Sequence, residues 1–153
     1  MHLYRITRTR YVRDLSGNGA RLYGGRWNRK GIGILYTSPT RALATVEYLV
    51  HVPIALAPAD LSVATFELPD DTRAEKVDPT VLPSGWRRHP PPPELAAIGT
   101  KWAQSPAHAL LLEVPSAVVE GESNVLIDPL HLEMKRVRLV DIRPYTLDER
   151  LLR

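Results

Sequence analysis

Short apolar runs, most of them of strand length, recur along the whole chain. They combine β-branched or aromatic residues with alternation between apolar and polar positions, a pattern that is typical of β-strands. The segments that fit this pattern are 3–7, 34–37, 61–68, 109–114, 124–127 and 136–142. Within 61–68 the alternation predicts Val63 and Thr65 on one face, and Ala64 and Phe66 on the other.

Two further segments have the spacing of a helix. Ser38 and Pro39 supply an N-cap and a first-turn proline for a helix that runs to about Val50. Its apolar residues recur at intervals of three and four, and Glu47 lies beside that stripe. A more modest helix is predicted over 94–104. The pattern as a whole therefore predicts a mixed α and β protein.

Between these elements the chain is irregular. Segment 8–33 is rich in glycine, arginine and aromatic residues and fits neither the helical nor the strand period. We predict a long loop there, and loops of that length in compact proteins are usually functional. Segment 70–83 is predicted as a second loop, and 89–93, with four consecutive prolines, as an extended connector.

Composition places the chain among ordinary globular proteins. Its 153 residues are 44% hydrophobic and 24% charged, which predicts a single compact domain over 1–153 and excludes a disordered or fibrous protein. The lack of cysteine excludes disulfides, thiolate zinc sites and cysteine nucleophiles. No segment has the apolar length of a signal peptide core or a membrane span, so we predict a cytoplasmic protein with no membrane partner.

The glycine-rich segment contains residues that suit an anionic ligand. The sequence from Arg21 to Asn28, RLYGGRWN, places two glycines directly before Arg26. Glycines let the backbone approach a ligand closely, and a guanidinium binds phosphate or carboxylate oxygens in a fork. The alternative is a glycine turn whose arginines are solvated or paired with carboxylates. The glycine spacing matches neither the dinucleotide-binding fingerprint nor the Walker A loop, so both are excluded.

Glu47 and Tyr36 each have a functional and a structural interpretation. Glu47 either turns outward and pairs with a base such as Arg41, or points inward, where it needs hydrogen-bond donors or a cation such as Arg26. An inward carboxylate is the arrangement that functional sites favour. Tyr36 ends a predicted strand, and its ring either packs in the core or stacks on a flat heterocycle.

Ser116 and the histidines carry weaker signals. Ser116 follows a predicted buried strand, where a hydroxyl acts as a cap, a ligand contact or a nucleophile. No glycine flanks it as in the G-x-S-x-G motif, which argues against a serine hydrolase. The five histidines show neither H-x-H nor H-E-x-x-H spacing, so no metal site is predicted.

Several sequence blocks occur in a specific order along the chain. They are Gly24 to Asn28 (GGRWN), Leu35 to Thr37 (LYT), Ala44 to Glu47 (ATVE), Val114 to Ser116 (VPS) and Asn124 to Leu126 (NVL). Together they resemble the RES domain family of bacterial toxins, over about residues 3–145. Arg26, Glu47 and Ser116 fall on the three positions that give the family its name, and Tyr36 falls on its recurring tyrosine.

The resemblance implies a single α+β domain similar to ADP-ribosyltransferases such as diphtheria toxin, with mixed or antiparallel sheets and flanking helices. It implies a cytoplasmic toxin of a type II toxin–antitoxin system that arrests growth by degrading NAD+, which is a substrate rather than a cofactor. The implied partner is an Xre-type antitoxin with a helix-turn-helix, through which alone the toxin would meet DNA. Asp128 stands where an asparagine is expected, which leaves the ligand role of that late loop open.

The resemblance also assigns roles to individual residues. The implied catalytic residues are Arg26, Tyr36, Glu47 and Ser116, and the implied substrate-binding residues are Arg21, Trp27, Asn28 and Asn124. These residue types suit NAD+, because arginines bind a pyrophosphate and the face of Tyr36 or Trp27 attracts a cationic nicotinamide ring. Glu47 would stabilise an oxocarbenium-like transition state or hold a ribose hydroxyl, and Ser116 would orient the substrate.

The acceptor of the cleaved intermediate is left open. Water, inorganic phosphate and a protein side chain would each complete the reaction, the last as an ADP-ribosyltransferase. A competing hypothesis is a non-catalytic nucleic-acid-binding module, because basic and aromatic residues alternate within 21–30. A third is an inactive relative that serves as an interaction module.

Overall fold

The computed structural model describes residues 1–153, with the side chain of Ile54 outside the description. The strands are β1 (His2–Arg8), β2 (Leu35–Thr37), β3 (Leu61–Glu67), β4 (Ala74–Lys76), β5 (Leu111–Pro115), β6 (Ser123–Ile127) and β7 (Arg138–Tyr145). The helices are α1 (Asn18–Tyr23), α2 (Arg41–Leu49) and α3 (Pro93–Gln104). Among the described residues, no helix combines the length and the apolar character that crossing a membrane requires.

Two sheets form the framework. The first has the strand order β1-β3-β7 and is antiparallel, whereas the second has the order β2-β6-β5-β4, in which β4 and β5 run parallel. A bridge between Tyr4 and Ser38 joins β1 to the end of β2 through two backbone hydrogen bonds of 2.8 and 2.9 Å. This architecture confirms the predicted α+β class with mixed sheets and flanking helices.

Strand β3 is buried on both faces, because each face has a different neighbour. Ala64 and Phe66 pack in a cluster between the two sheets, whereas Val63 packs in a cluster with residues of α2. The predicted alternation of Val63 against Ala64 and Phe66 is thus confirmed. On the far side of the second sheet, Leu95 and Trp102 of α3 pack in a third cluster. Burial of these apolar faces is the main favourable contribution to folding.

Helix α2 begins later than predicted. Its N-cap is Thr40, whose side chain accepts a hydrogen bond of 3.1 Å from the backbone N–H of Leu43. Ser38 is not the cap, because its own backbone N–H and carbonyl are bonded to Tyr4. The predicted helix itself is confirmed, and it ends at Leu49, close to the expected residue.

The two segments predicted as loops contain regular structure. Segment 8–33 includes a 3₁₀ turn at Thr9–Tyr11 and helix α1, which has no buried residue and therefore no apolar stripe to reveal it. Segment 70–83 includes β4, whose residues are all exposed and which pairs with β5. The other predicted strands and the second helix are present, with bounds shifted by a few residues.

Candidate functional site

A cavity of about 380 Å³ opens where the two sheets meet α2. It is lined by β1, by the glycine-rich segment after α1, by β2, by one face of α2 and by the ends of β5 and β6. Ligand sites commonly have volumes of this order and combine apolar walls with a few polar groups. The cavity therefore brings together most of the segments that carry the motif blocks.

Glu47 points into this cavity from α2. Its Oε1 atom accepts a hydrogen bond of 2.6 Å from the Ser116 hydroxyl and another of 2.6 Å from the Asn124 amide. The outward alternative is wrong, because these bonds hold Glu47 inward, and Arg41 lies instead over the ring of Tyr4, 5.3 Å from its centroid, with no ion pair to Glu47 among the described residues. Oε2 has no hydrogen-bond partner among those residues, so it remains available to a ligand.

Ser116, directly after β5, bonds this carboxylate and also caps the turn that follows the strand. Its Oγ donates to Glu47 and accepts from the backbone N–H groups of Val118 and Val119, at 3.1 and 2.9 Å. The residue is 2% exposed. Because the hydroxyl is buried and its hydrogen-bonding capacity is used within the protein, the geometry favours a cap that also positions Glu47 over a nucleophile.

Tyr36 and Asn28 form a second polar cluster beneath the glycine-rich segment. The Tyr36 hydroxyl donates to Asn28 Oδ1 at 2.7 Å and accepts from the Trp27 N–H at 3.1 Å. The pKa of Tyr36 is raised far above its ordinary value, mainly because the hydroxyl is buried. The hydroxyl therefore stays protonated. The half-buried ring lines the cavity and remains available for ligand contact.

Asn28 is placed for structure rather than for ligand contact. It is 1% exposed, and its amide donates to the carbonyls of Ala20, Arg29 and Ile32 at 2.8, 3.2 and 3.0 Å. The structure therefore does not bring this side chain to a ligand, because its hydrogen bonds fold the glycine-rich segment upon itself.

Trp27 lines the cavity, but the residue is almost fully buried. It is 3% exposed and packs in the apolar cluster of α3 with Leu95 and Trp102. Because so little of the residue is exposed, the structure favours a packing role for Trp27 over stacking on a ligand.

Arg26 lines the cavity but does not pair directly with Glu47. Its Nη1 donates to the carbonyls of Trp86 and Arg88 at 2.8 and 3.1 Å, and its other nitrogens make no hydrogen bond with the described residues. Burial lowers the pKa of Arg26, while the charge of Glu47 opposes that change. An arginine held at one corner, with free donors, suits an anionic group.

Arg21 lies outside the cavity. It is exposed on α1, and its guanidinium donates to Asn18 Oδ1 at 3.1 and 2.6 Å. The structure therefore does not bring Arg21 to the other predicted site residues.

Two cavity residues were missed by the sequence patterns, although each carried a signal. Arg5 lies on β1 two residues after buried Leu3, so the two side chains point to the same face of the strand. A charged residue on that inward face was the signal in the sequence. Its Nη1 donates to the Asp14 carbonyl at 2.8 Å, and burial lowers its pKa. His51 follows Glu47 by four residues and lies just past the end of α2. Burial lowers the pKa of His51, while the charge of Glu47 opposes that change.

The late loop that departs from the expected motif lies away from these lining residues. Asp128 is 5% exposed, and its Oδ2 lies 2.7 Å from His108 Nε2. Its Oδ1 accepts from the backbone N–H of Leu130 at 2.9 Å. The aspartate therefore anchors its own loop through a hydrogen bond with His108 and a turn.

The chain was compared with protein families, curated proteins and solved structures. The RES domain model matches residues 2–148. The Prs ADP-ribosylating toxin of Sphingobium sp. is 40% identical over 95% of this chain and 91% of its own length. A Toxin Res of Photorhabdus laumondii is 35% identical over 100% and 98%. In the MbcT–MbcA toxin–antitoxin complex of M. tuberculosis, one chain has the same fold, with a TM-score of 0.73 and 20% identity over 95% of this chain and 84% of that one.

Proposed function

Because the chain belongs to the RES domain family, we propose that it is the toxin of a bacterial toxin–antitoxin system and that it consumes NAD+. The observation that carries the proposal is the carboxylate of Glu47, which faces the cavity with one oxygen held by two donors and the other unpartnered. Relatives named as toxins, over nearly their full length, support the assignment.

The proposed reaction breaks the bond between nicotinamide and the ribose C1′ atom. Nicotinamide leaves with the bonding electron pair, and C1′ passes through an oxocarbenium-like state before an acceptor adds to it. The carboxylate of Glu47 stabilises that positive charge or holds a ribose hydroxyl through Oε2, and Ser116 and Asn124 hold Oε1. With water as acceptor, a proton is released and ADP-ribose is the product.

In the proposed complex, two arginines bind the pyrophosphate of NAD+. Arg26 has free donors toward the cavity, and Arg5 replaces Arg21 as the second cation because it lines the same space. The half-buried ring of Tyr36 offers its face to the cationic nicotinamide. Arg5 and Arg26 are fixed by backbone carbonyls, so little side-chain entropy is lost when the anion binds.

The partner is an antitoxin that neutralises the enzyme in the cytoplasm. The relative of known structure is in a toxin–antitoxin complex, which supports a partner of this kind. We propose an antitoxin of the Xre type, whose helix-turn-helix provides the contact with DNA.

The acceptor of the ADP-ribose group decides between two activities, which are release of a small product and transfer to a protein. The Sphingobium relative is named an ADP-ribosylating toxin and is 40% identical, which favours transfer to a protein as a second candidate. Hydrolysis or phosphorolysis releases a small ADP-ribose product, whereas transfer leaves the group on a target protein.

The test is incubation of the purified, antitoxin-free protein with NAD+, with and without inorganic phosphate and a bacterial lysate. Nicotinamide release is followed together with product mass. We expect Glu47→Gln to lower kcat by about 10²- to 10³-fold, because the charge that matches the transition state is lost. Glu94→Gln, on the exposed start of α3, is the matched control and retains the wild-type rate.

The outcomes are distinct. Turnover that needs Glu47 supports the proposal, and product mass identifies the acceptor. Intact NAD+ in every arm, with folded protein by circular dichroism, refutes it. Salt-sensitive RNA binding in that case favours the nucleic-acid module.

A further inference from the structure

A chain of hydrogen bonds leads from buried Ser38, at the junction of the two sheets, to the carboxylate in the cavity. We propose that Ser38 is a positioning residue, which fixes the direction of the Asn124 amide and thereby keeps one oxygen of Glu47 bonded while the other faces the substrate. The inference rests on the proposed function for its catalytic consequence, whereas the hydrogen-bond relay itself stands on geometry.

The relay has only one consistent hydrogen-bonding direction. Ser38 Oγ lies 2.7 Å from Asn124 Oδ1, and Asn124 Nδ2 lies 2.6 Å from Glu47 Oε1. An ionised carboxylate only accepts hydrogen bonds, so the NH₂ group of Asn124 must face Glu47. The amide oxygen then faces Ser38, and the serine hydroxyl must donate.

Ser38 is itself held firmly. Its backbone N–H and carbonyl are bonded to Tyr4 of β1, at 2.9 and 2.8 Å, and it is 4% exposed. The adjacent Thr37 hydroxyl donates to the Val125 carbonyl at 2.6 Å, which fixes β2 on β6. Removal of the Ser38 hydroxyl therefore takes from the Asn124 oxygen the protein donor that holds it.

The direction of the amide matters for Glu47. With the NH₂ group toward it, Oε1 receives two donors, one from Asn124 and one from Ser116, and Oε2 is left for the substrate. A turned amide would present its oxygen to the carboxylate instead, and repulsion between two acceptors would rotate Glu47 or remove one of its supports. Ser38 thus acts on the reaction through Asn124.

The kinetic test compares Ser38→Ala, Asn124→Ala and the double variant by NAD+ turnover. We expect Ser38→Ala to lower kcat about three- to tenfold, the effect of one neutral hydrogen bond, with KM changed less than about twofold. The same substitution should have no further effect in the Asn124→Ala background, because the relay is already broken. Ser38→Thr, which keeps a hydroxyl, should recover most of the rate.

Ser62→Ala is the matched control for loss of a buried serine. Ser62 lies on β3, is 3% exposed and is bonded to Thr9 at 2.8 Å, away from the residues that line the cavity. It should retain the wild-type kcat even where its thermal stability falls. Additive effects of Ser38→Ala and Asn124→Ala, or a KM effect without a kcat effect, would overturn the proposal.

A measurement without turnover keeps the proposal separate from the proposed function. The Asn124 side-chain amide signals in a ¹H–¹⁵N spectrum are assigned by their loss in Asn124→Asp. We expect these signals to shift and their hydrogen exchange to become faster in Ser38→Ala, and to return toward wild type in Ser38→Thr. Unchanged signals in Ser38→Ala would overturn the relay even if NAD+ is consumed. Shifted signals in a protein without turnover would refute the proposed function alone.

Discussion

The position of the Tyr36 hydroxyl explains why residue 25 is a glycine. A Cβ atom at this position would lie 2.7 Å from the Tyr36 hydroxyl and 2.8 Å from Asn28 Oδ1. The missing side chain therefore makes room for the hydrogen bond between these two residues. Gly24, which precedes it, has a φ of +72°, a conformation that glycine adopts at little cost. The pair of glycines thus builds the turn that presents Arg26.

Gly25→Ala should destabilise the protein by about 1 to 3 kcal/mol, because the new methyl group displaces the Tyr36 hydroxyl. Urea unfolding measures the change. Tyr36→Phe alone should also destabilise, since it leaves the buried Trp27 N–H without its acceptor. In the double variant the two losses should be less than additive, and full additivity would contradict this explanation of Gly25.

His51 should make folding stability depend on pH. Burial, the largest cause, lowers its pKa from 6.5, and Glu47 opposes the shift only in part. The unfolded chain therefore binds the proton more readily than the folded one. The contribution is fully present above pH 6.5 and is lost as the pH falls through the lowered pKa.

The measurement is urea unfolding of wild type and His51→Gln between about pH 7.5 and about pH 5. Wild type should lose stability relative to the variant as the pH falls, because only wild type gains a proton on unfolding at that position. Parallel stability curves would contradict a lowered pKa in the folded state.

At the scale of elements, the amphipathic pattern of α2 decides that Glu47 faces the cavity. Thr40 fixes where the helix starts, and the apolar residues between Thr40 and Glu47 decide which face is buried. The helical period then places Glu47 on the side that meets the cavity, which His51 also lines just past the end of the helix. The sequence predicts this helix well. It does not show that Ser116, just after β5, and Asn124 of β6 lie beside Glu47, because both are far along the chain.

Helix α3 and the glycine-rich segment approach each other too closely for any side chain. A Cβ atom at Gly99 would lie 1.8 Å from the carbonyl oxygen of Trp27, which is backbone and cannot swing aside. Gly99→Ala should therefore destabilise the protein by about 3 kcal/mol. It should also lower turnover, because Arg26 directly precedes the displaced residue.

Gly19→Ala is the control for a glycine replaced within a helix. A Cβ atom there meets nothing within 4 Å, and Gly19 lies on α1. Its stability should change by less than about 1 kcal/mol, with the sign set by the better helix propensity of alanine. Equal effects of the two substitutions on the thermal unfolding midpoint would refute the close contact at Gly99.

At the scale of the whole molecule, the site exists because two sheets meet at one edge. The bridge between Tyr4 and Ser38 brings β1 beside β2, so that Arg5 from the first sheet faces the same space as Tyr36 from the second. Neither sheet alone encloses the cavity. Helix α2 closes it from a third side and supplies Glu47.

The elements were predicted well where one face is apolar and the other is not. Helices α2 and α3 follow that rule, since burial against a neighbour rewards a periodic pattern. Strand β3 is buried on both faces and was predicted from its run of apolar and β-branched residues. Strand β4 was missed because its three residues are all exposed, so only pairing with β5 holds it in place. Helix α1 was missed for the same reason.

The sequence by itself determined the residue types of the site, the helix that carries Glu47 and the family, since blocks in a fixed order survive without knowledge of their contacts. Only the tertiary structure decided which side chains turn inward. It placed Arg5 in the cavity instead of Arg21, and it committed Asn28 to backbone carbonyls. The physical reason is that burial and hydrogen-bond satisfaction depend on neighbours distant in the chain, which local periodicity does not encode.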